Sequence, residues 1–274
     1  MWNEVEKLLD TSLENILFAF SLTLFAGLST SVGGLLAFFP KKMTEKFLSI
    51  SLGFSAGVMI YLSFIEILVG AEESLIEVYS EQQGRFITML SFFGGMLLIF
   101  LISHFITIEP KKSKETKLSS KDQVRDDLMR TGLLSALAIA IHNFPEGITT
   151  FIVALNDRTL GIGMAIAIAI HNIPEGIAVS VPIYYATKSK KKAFMYSFIS
   201  GLAEPLGAIV GFLFLLPILT PTLLGIIYAM IAGIMIYISF EELIPTAMKY
   251  GGSQTVTIGI IAGMFIMALS LVLL

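Results

Sequence analysis

The sequence contains no cysteine and few charged residues. Without cysteine there is no disulfide framework, no thiolate metal site and no thiol chemistry. Only 14% of its 274 residues are charged, whereas a soluble domain carries roughly a quarter. The net charge is −3, and basic residues do not alternate with aromatic ones as they do in nucleic-acid-binding grooves. These shortages exclude a disulfide-stabilised scaffold, a thiol-dependent enzyme and a nucleic-acid-binding protein.

Apolar residues are abundant instead, and they come in long runs. They make up 55% of the chain, whose mean hydropathy is +0.83. Each run is long enough to cross a hydrocarbon core, which needs about 20 helical residues. Residues 1–4 are acidic where a signal peptide is basic, so we expect the first run to be retained. We predict an all-α integral membrane protein, with a single transmembrane domain over residues 1–274 and eight transmembrane helices at approximately Leu13–Phe39, Phe47–Val69, Phe86–Ile108, Met129–Leu155, Leu160–Thr187, Ala193–Leu216, Leu223–Met248 and Thr255–Leu274.

The basic residues indicate how these helices are oriented. All but three of the 18 lysines and arginines fall in the first, third, fifth and seventh connections, and the exceptions are Lys7, Arg85 and Arg158. Basic connections stay in the cytoplasm, so we predict that both termini are extracytoplasmic. The longest connection, Glu109–Leu128, is polar and rich in Lys, Ser and Asp. We predict that it is a flexible cytoplasmic loop.

Two segments repeat in helices that the predicted topology orients oppositely. Gly57–Glu66 (GVMIYLSFIE) in helix 2 matches Gly233–Glu242 (GIMIYISFEE) in helix 7 at seven of ten positions. A weaker similarity links Gly27–Gly33 in helix 1 with Gly201–Gly207 in helix 6. Inverted-topology repeats are typical of transporters that alternate access to one central site. We therefore predict inverted repeats formed by helices 1–3 and 6–8 around a central pair, helices 4 and 5.

Carboxylates within the predicted spans have no obvious counter-ion. Every lysine and arginine lies in a connection or a terminus, yet six glutamates fall within spans. An unpaired charge at the bilayer centre costs at least about 3 kcal/mol. These carboxylates must therefore be protonated, hydrated or neutralised by a bound cation; they are Glu66, Glu146, Glu175, Glu204, Glu241 and Glu242.

Helices 4 and 5 carry the same motif, His-Asn-x-Pro-Glu-Gly. His142 and Glu146 are four residues apart, as are His171 and Glu175, so each pair shares one helix face,. The motifs are nearly equidistant from the turn between the helices, and an antiparallel hairpin brings both to the same depth. Imidazole, carboxylate and amide oxygen suit Zn²⁺, and also Fe²⁺, Mn²⁺, Co²⁺ or Cd²⁺.

Further candidate ligands accompany these two pairs. Asn143 and Asn172 follow the histidines and add amide oxygens, and Glu204 precedes Pro205 in what we predict is a broken helix 6,. A bridging carboxylate could hold two metals. The structural alternative, a His–Glu hydrogen bond joining two helices, is disfavoured because the motif occurs twice at matched depth without a cationic side chain.

Other polar residues in the spans are ambiguous. His104 lies near the end of helix 3, and we interpret it as an interfacial histidine. Glu241 and Glu242 are either an exit step or solvated residues at a span end, and Glu66 is their outward counterpart.

The motifs at 142–147 and 171–176 resemble the paired signatures of the ZIP (Zrt/Irt-like) metal transporters, and Gly201-Leu-Ala-Glu-Pro205 is similar to the sixth-helix segment of their bacterial ZupT-type branch. The resemblance covers nearly the whole chain. It implies uptake of zinc and related divalent metals into the cytoplasm across the cell membrane, a homodimer, and an elevator-like movement of helices 1, 4, 5 and 6. It also implies two metal positions, one formed by His142, Glu146, His171 and Glu175 and the other by Asn143, Glu146, Asn172, Glu175 and Glu204. Many members have a histidine-rich third connection, whereas Glu109–Leu128 contains no histidine.

Our hypothesis is alternating access around this two-metal site, with no resident cofactor and no enzymatic activity. A passive metal-selective channel could use the same ligands, and the inverted repeat favours the carrier. An intramembrane metalloprotease is less consistent, because a zincin places two histidines and a glutamate on one helix as His-Glu-x-x-His. A structural or receptor protein would leave the paired motifs without a purpose.

Overall fold

The computed structural model describes residues 12–36, 44–106, 120–215 and 220–273. These residues form helices and contain no strand. Three short π-helical segments, Ser63–Ile67, Gly211–Leu215 and Ser239–Leu243, continue the helices that precede them. The α-helices are α1 Leu13–Leu36, α2 Glu45–Leu62, α3 Leu68–Ile76, α4 Glu81–Ile106, α5 Ser120–Asn156, α6 Arg158–Thr187, α7 Lys190–Gly201, α8 Ala203–Val210, α9 Pro221–Ile238 and α10 Ile244–Leu273.

Among the described residues, seven helical stretches are long and apolar enough to cross a membrane. The last of them, Pro221–Leu273, has 53 residues. A straight helix of that length would extend about 80 Å, far beyond a hydrocarbon core of about 30 Å. Gly252 interrupts it with φ 69° and ψ 167°, a conformation that only glycine adopts readily,. The predicted all-α architecture is confirmed, and the seven long apolar stretches fit a multi-pass membrane protein.

The chain reverses direction at Gly252, as its contacts with α2 and α3 demonstrate. Gly225 packs against Leu75 in α3, and Gly251 packs against Ser49 near the start of α2. The segment that follows returns along α2, where Gly53 meets Val256. The two parts of the final helical stretch therefore run in opposite directions along the same neighbour.

Helix α5 begins at Ser120, well before the Met129 start predicted for the fourth span. The described end of the predicted flexible loop, residues 120–128, is thus helical, while residues 109–119 lie outside the described residues. Side chains in and beside this extension make tertiary contacts: Asp127 pairs with Lys249 at 2.7 Å, and Arg130 approaches Glu242 at 3.2 Å. The composition of the predicted loop did not indicate that Lys249 or Glu242 would contact this part of the chain.

Prolines affect the helices in two ways. Helix 6 is broken as predicted: α7 ends at Gly201, Leu202 forms a turn, and α8 begins at Ala203, since Pro205 cannot donate to the Gly201 carbonyl,. By contrast, α5 and α6 continue through Pro145 and Pro174.

Glycines bring the helix backbones together around the motifs. A Cβ on Gly147 would lie 1.9 Å from the Glu204 carbonyl oxygen, and one on Gly176 would lie 1.8 Å from that of Thr30. Close approach at small residues is the usual way in which membrane helices associate. The contacts place the α5 motif against α8 and the α6 motif against α1.

The two sequence repeats adopt the same local structure. The π-helical segment in the first copy begins at Ser63, and that in the second begins at Ser239, the equivalent position. Gly57 packs against Ile260 in α10, and its counterpart Gly233 packs against Phe92 in α4. Each copy therefore uses the equivalent glycine to contact a neighbouring long helix.

Replacing Gly57 with alanine should destabilise the protein, because the new Cβ would lie 2.2 Å from the Ile260 carbonyl oxygen. Overpacking of this kind costs about 1–3 kcal/mol. Gly94→Ala is the matched control, since a Cβ there meets nothing within 4 Å and alanine favours the helix by up to about 1 kcal/mol. Thermal denaturation in detergent should give a lower midpoint for Gly57→Ala alone. Equal midpoints for both variants would contradict the packing of α2 on α10.

Candidate metal centre

A tight helical hairpin positions the two motifs. Asp157 caps the start of α6, and its side chain accepts hydrogen bonds from the backbone N–H groups of Thr159 and Leu160 at 2.8 and 3.0 Å,. This leaves almost no loop between α5 and α6, which run antiparallel. The rings of His142 and His171 consequently lie at the same level, with their centroids 6.2 Å apart.

Glu146 lies between the two histidines. Its Oε1 atom is 3.1 Å from Nε2 of His142 and also 3.1 Å from Nε2 of His171. Glu175 completes the group, with its Oε1 atom 3.7 Å from Nε2 of His142. His142, Glu146 and His171 each offer one ligand atom within 4.8 Å of the others, and all are buried. The two motifs therefore form a single cluster, as predicted.

Hydrogen bonds orient the two asparagines. Asn143 Nδ2 donates to the Ser200 carbonyl at 3.3 Å, and Asn172 Nδ2 donates to the Ala26 carbonyl at 2.9 Å and to Glu204 Oε1. Because the amide nitrogens face these acceptors, the two Oδ1 atoms are the groups left for a cation. This arrangement also brings Glu204 into the cluster.

Many acceptor atoms in the cluster have no hydrogen-bond donor within the described part of the chain. An unsatisfied buried polar group costs about 1–3 kcal/mol, and no lysine or arginine in the described ranges pairs with Glu146, Glu175 or Glu204. Cations bound in the cluster would satisfy these oxygen atoms. The oxygens are both carboxylate oxygens of Glu175, Oε2 of Glu204, and Oδ1 of Asn143 and Asn172.

A cavity of about 340 Å³, which we call the Glu66 cavity, leads to the cluster from one end of the helices. Glu146 and His171 line its inner part, and Glu66 and Gly70 line its open part. At its wall the hydroxyl of Tyr228 forms a hydrogen bond with Thr149. A hydrated ion that enters this cavity would therefore meet carboxylates at both ends.

The remaining candidates lie outside the cluster. His104 is exposed at the end of α4 and stacks on Phe100, with centroids 6.3 Å apart. Glu241 is exposed and Glu242 is buried. Glu66 lines the cavity without an ion-pair partner in the residues that the structure describes.

Sequence reasoning failed for Glu242, which was expected to lack a cationic neighbour. Arg130 Nη2 lies 3.2 Å from Glu242 Oε1, and Thr131 Oγ1 donates to Glu242 Oε2 at 3.2 Å. Arg130 belongs to a helix rather than to the third connection, and its long side chain reaches inward. The available signal for this pair was an arginine at the edge of a predicted span. That arginine could be matched to Glu242 only once the position of helix 7 was known.

Comparison with known proteins gives a consistent result. The profile of the family described as ZIP Zinc transporter matches residues 106–271. The chain is 55% identical to the zinc transporter ZupT of Oceanobacillus iheyensis over 267 residues, which cover 96% of this chain and 100% of the relative. It is 54% identical over 265 residues to ZupT of Chlorobium chlorochromatii (95% and 98% covered) and 51% identical over 281 residues to ZupT of Clostridium perfringens (96% and 98% covered). With its paired motifs converging on one buried cluster, the chain belongs to the bacterial ZupT-type branch of the ZIP zinc transporter family.

Proposed function

We propose that this chain carries zinc and related divalent cations, with Fe²⁺, Mn²⁺, Co²⁺ and Cd²⁺ as further candidates, across the cell membrane into the cytoplasm. The observation that carries the proposal is the buried group of imidazole and carboxylate ligands at the end of the Glu66 cavity. Both carboxylate oxygens of Glu175 and Oε2 of Glu204 have no hydrogen-bond donor in the described residues. The family and the transporter names of the relatives support the same function.

The distances in the cluster suit a tetrahedral metal. Zinc bonds of about 2.0–2.1 Å separate neighbouring ligands by roughly 3.3 Å. The observed separations between His142, Glu146 and Glu175 are 3.1 and 3.7 Å. Small side-chain adjustments would therefore be enough to bind the ion.

We further propose two metal positions bridged by Glu146 and Glu175. One is formed by the two histidines with these glutamates. The other is formed by the amide oxygens of Asn143 and Asn172 with Glu204; the amide nitrogens are anchored to α1 and α7, and that of Asn172 also donates to Glu204. A bridging carboxylate has two oxygens and can contribute one to each ion. The cations are cargo, so the site needs no resident cofactor.

Alternating access is the mechanism that the repeats support. The copy in α2 ends with Glu66 in the cavity that leads to the cluster. The copy in α9 ends with Glu242, which lines a separate cavity at the other end of the helices. Equivalent residues at opposite ends are what an inverted repeat produces. A passive channel would not need this equivalence, and a zincin-type metalloenzyme would need two histidines on one helix.

The reversal at Gly252 supports eight membrane crossings rather than seven. Together with the distribution of basic residues it supports the proposal that both termini lie outside the cytoplasm,. A homodimer, implied by resemblance to the family, completes this proposal.

Zinc uptake into proteoliposomes should depend on the paired histidines. His142→Ala/His171→Ala removes both imidazoles, and we expect uptake to fall at least about 100-fold, because the remaining carboxylates bind zinc less selectively. His104→Ala is the matched control, since His104 lies outside the cluster. Uptake by the double variant at the level of the control would refute the cluster as the transport site.

Zinc affinity should fall at least about tenfold between pH 7 and pH 5. Protons compete with the metal for the imidazoles and carboxylates, so affinity is highest at the upper end of this range and decreases as the ligands become protonated. Equilibrium dialysis against a zinc buffer measures the change. The double histidine variant should bind more weakly with a shallower pH dependence. A flat profile for the unmodified chain would contradict metal binding at these residues.

Alkaline phosphatase fused after Leu274 should be active in a bacterial host. The enzyme requires disulfides, which form only in an oxidising compartment, and eight crossings place this end outside the cytoplasm. A fusion truncated after Gly251, just before the reversal, should be inactive because it ends on the cytoplasmic side. Inactivity of both fusions would indicate that the final helical stretch does not cross back, and the opposite pair of results would indicate an inverted orientation.

A further inference from the structure

Arg130 and Glu242 connect the helix that carries the first motif to the end of the second sequence repeat. The side chain of Glu242 is 7% exposed and that of Arg130 is 40% exposed, and their charged atoms approach to 3.2 Å. Thr131 donates to the second oxygen of Glu242 and lies 3.1 Å from the hydroxyl of Thr246. These four residues, which we call the inner latch, join α5 to α9 and α10.

The inner latch lies far from the metal centre, on the side opposite the Glu66 cavity. Arg130 precedes His142 in α5 by about 18 Å along the helix axis. Both latch partners line a second cavity of about 270 Å³, the Glu242 cavity. No residue of the metal cluster lines this cavity. Of these two cavities, the Glu66 cavity therefore reaches the cluster and the Glu242 cavity does not.

Packed apolar side chains separate the metal centre from the inner latch. Leu134 and Ile139 of α5 belong to the same buried cluster as Met235, Ile238 and Leu243. Dispersion and burial alone would allow these helices to slide, because apolar contacts are not directional. The Arg130–Glu242 ion pair is directional, and separating its partners leaves the charge of the buried Glu242 uncompensated,.

The repeat makes the asymmetry between the two ends informative. Glu66 and Glu242 are equivalent positions, and each follows a π-helical onset at a serine. Glu66 lines the accessible cavity, and no cationic partner pairs with it in the described ranges, whereas Glu242 is held by Arg130. Pairing therefore accompanies the closed end, and a free carboxylate accompanies the open end.

We propose that the Arg130–Glu242 ion pair holds the cytoplasmic end closed while the Glu66 cavity is open, and that it must separate before metal can leave. The proposal rests on the proposed transport function. Arg130 and Glu242 act as positioning residues: they set which end is accessible. Separating the pair would also expose the Glu242 carboxylate to the departing cation.

The absence of cysteine allows a direct test. Ser135→Cys places a thiol on α5 between the latch and the metal centre, where the serine is buried and its hydroxyl has no partner in the described structure. Ala167→Cys places one in the Glu66 cavity. A membrane-impermeant maleimide is applied to inside-out vesicles for Ser135→Cys and to right-side-out vesicles for Ala167→Cys. In the unmodified background we expect slow labelling of the first and fast labelling of the second.

Arg130→Gln should increase the labelling rate of Ser135→Cys at least about fivefold, which is the change that a modest population shift produces. The same substitution should decrease the labelling rate of Ala167→Cys. Glu242→Gln removes the same pair from the other side and should have the same effect. Lys249→Gln is the control: it breaks the neighbouring 2.7 Å pair with Asp127, whose side chains are 47% and 54% exposed. Exposed pairs contribute little, so its rates should stay within about twofold of the parent.

Charge reversal distinguishes the effect of the ion pair from the effect of losing either side chain. Arg130→Glu/Glu242→Arg should restore slow labelling of Ser135→Cys. Parental rates in both single variants, or fast labelling that persists in the reversed pair, would overturn the proposal. Zinc uptake by the unmodified chain is measured separately. Absence of uptake would refute the transport function, and the labelling rates would still decide whether the latch closes the inner end.

Discussion

The burial of three carboxylates within reach of one another is the constraint on which the rest of the structure depends. Glu146, Glu175 and Glu204 lie in the middle of apolar helices, and no lysine or arginine in the described ranges pairs with them. Each such charge costs at least about 3 kcal/mol. Glycine contacts bring the helix backbones together there, and hydrogen bonds from the amide nitrogens anchor Asn143 and Asn172. A divalent cation offsets the cost of these charges without adding a side chain, and it can leave again.

The two ends of the molecule treat equivalent carboxylates differently. Glu66 lines an accessible cavity next to the metal centre, while Glu242 is buried and paired with Arg130. Both belong to copies of one sequence repeat with the same π-helical onset, and they differ in the side chain that each one meets. An inverted repeat in one state is expected to display such an asymmetry.

Sequence could predict the features that depend on local geometry. Helical periodicity and the short turn at Asp157 determine that His142 and His171 meet, and Pro205 determines the break in helix 6,. The early start of α5 and the pairing of Arg130 depend on partners in helix 7 that are distant in sequence. The π-helical segments also escaped prediction, because a change of backbone hydrogen-bond register leaves no compositional trace. What sequence missed therefore lies in the contacts between helices and in the backbone hydrogen-bond register within them.

The measurement that tests this account most directly is anomalous diffraction at the zinc edge from crystals of the zinc-loaded protein. The account predicts a peak at bonding distance from Nε2 of His142, Nε2 of His171 and a carboxylate oxygen of Glu146, with bonds of about 2.0–2.2 Å. A second peak beside Asn143, Asn172 and Glu204 would correspond to the second metal position. Anomalous density confined to surface carboxylates, with none between the two histidines, would contradict the claim that buried glutamates are neutralised by transported metal.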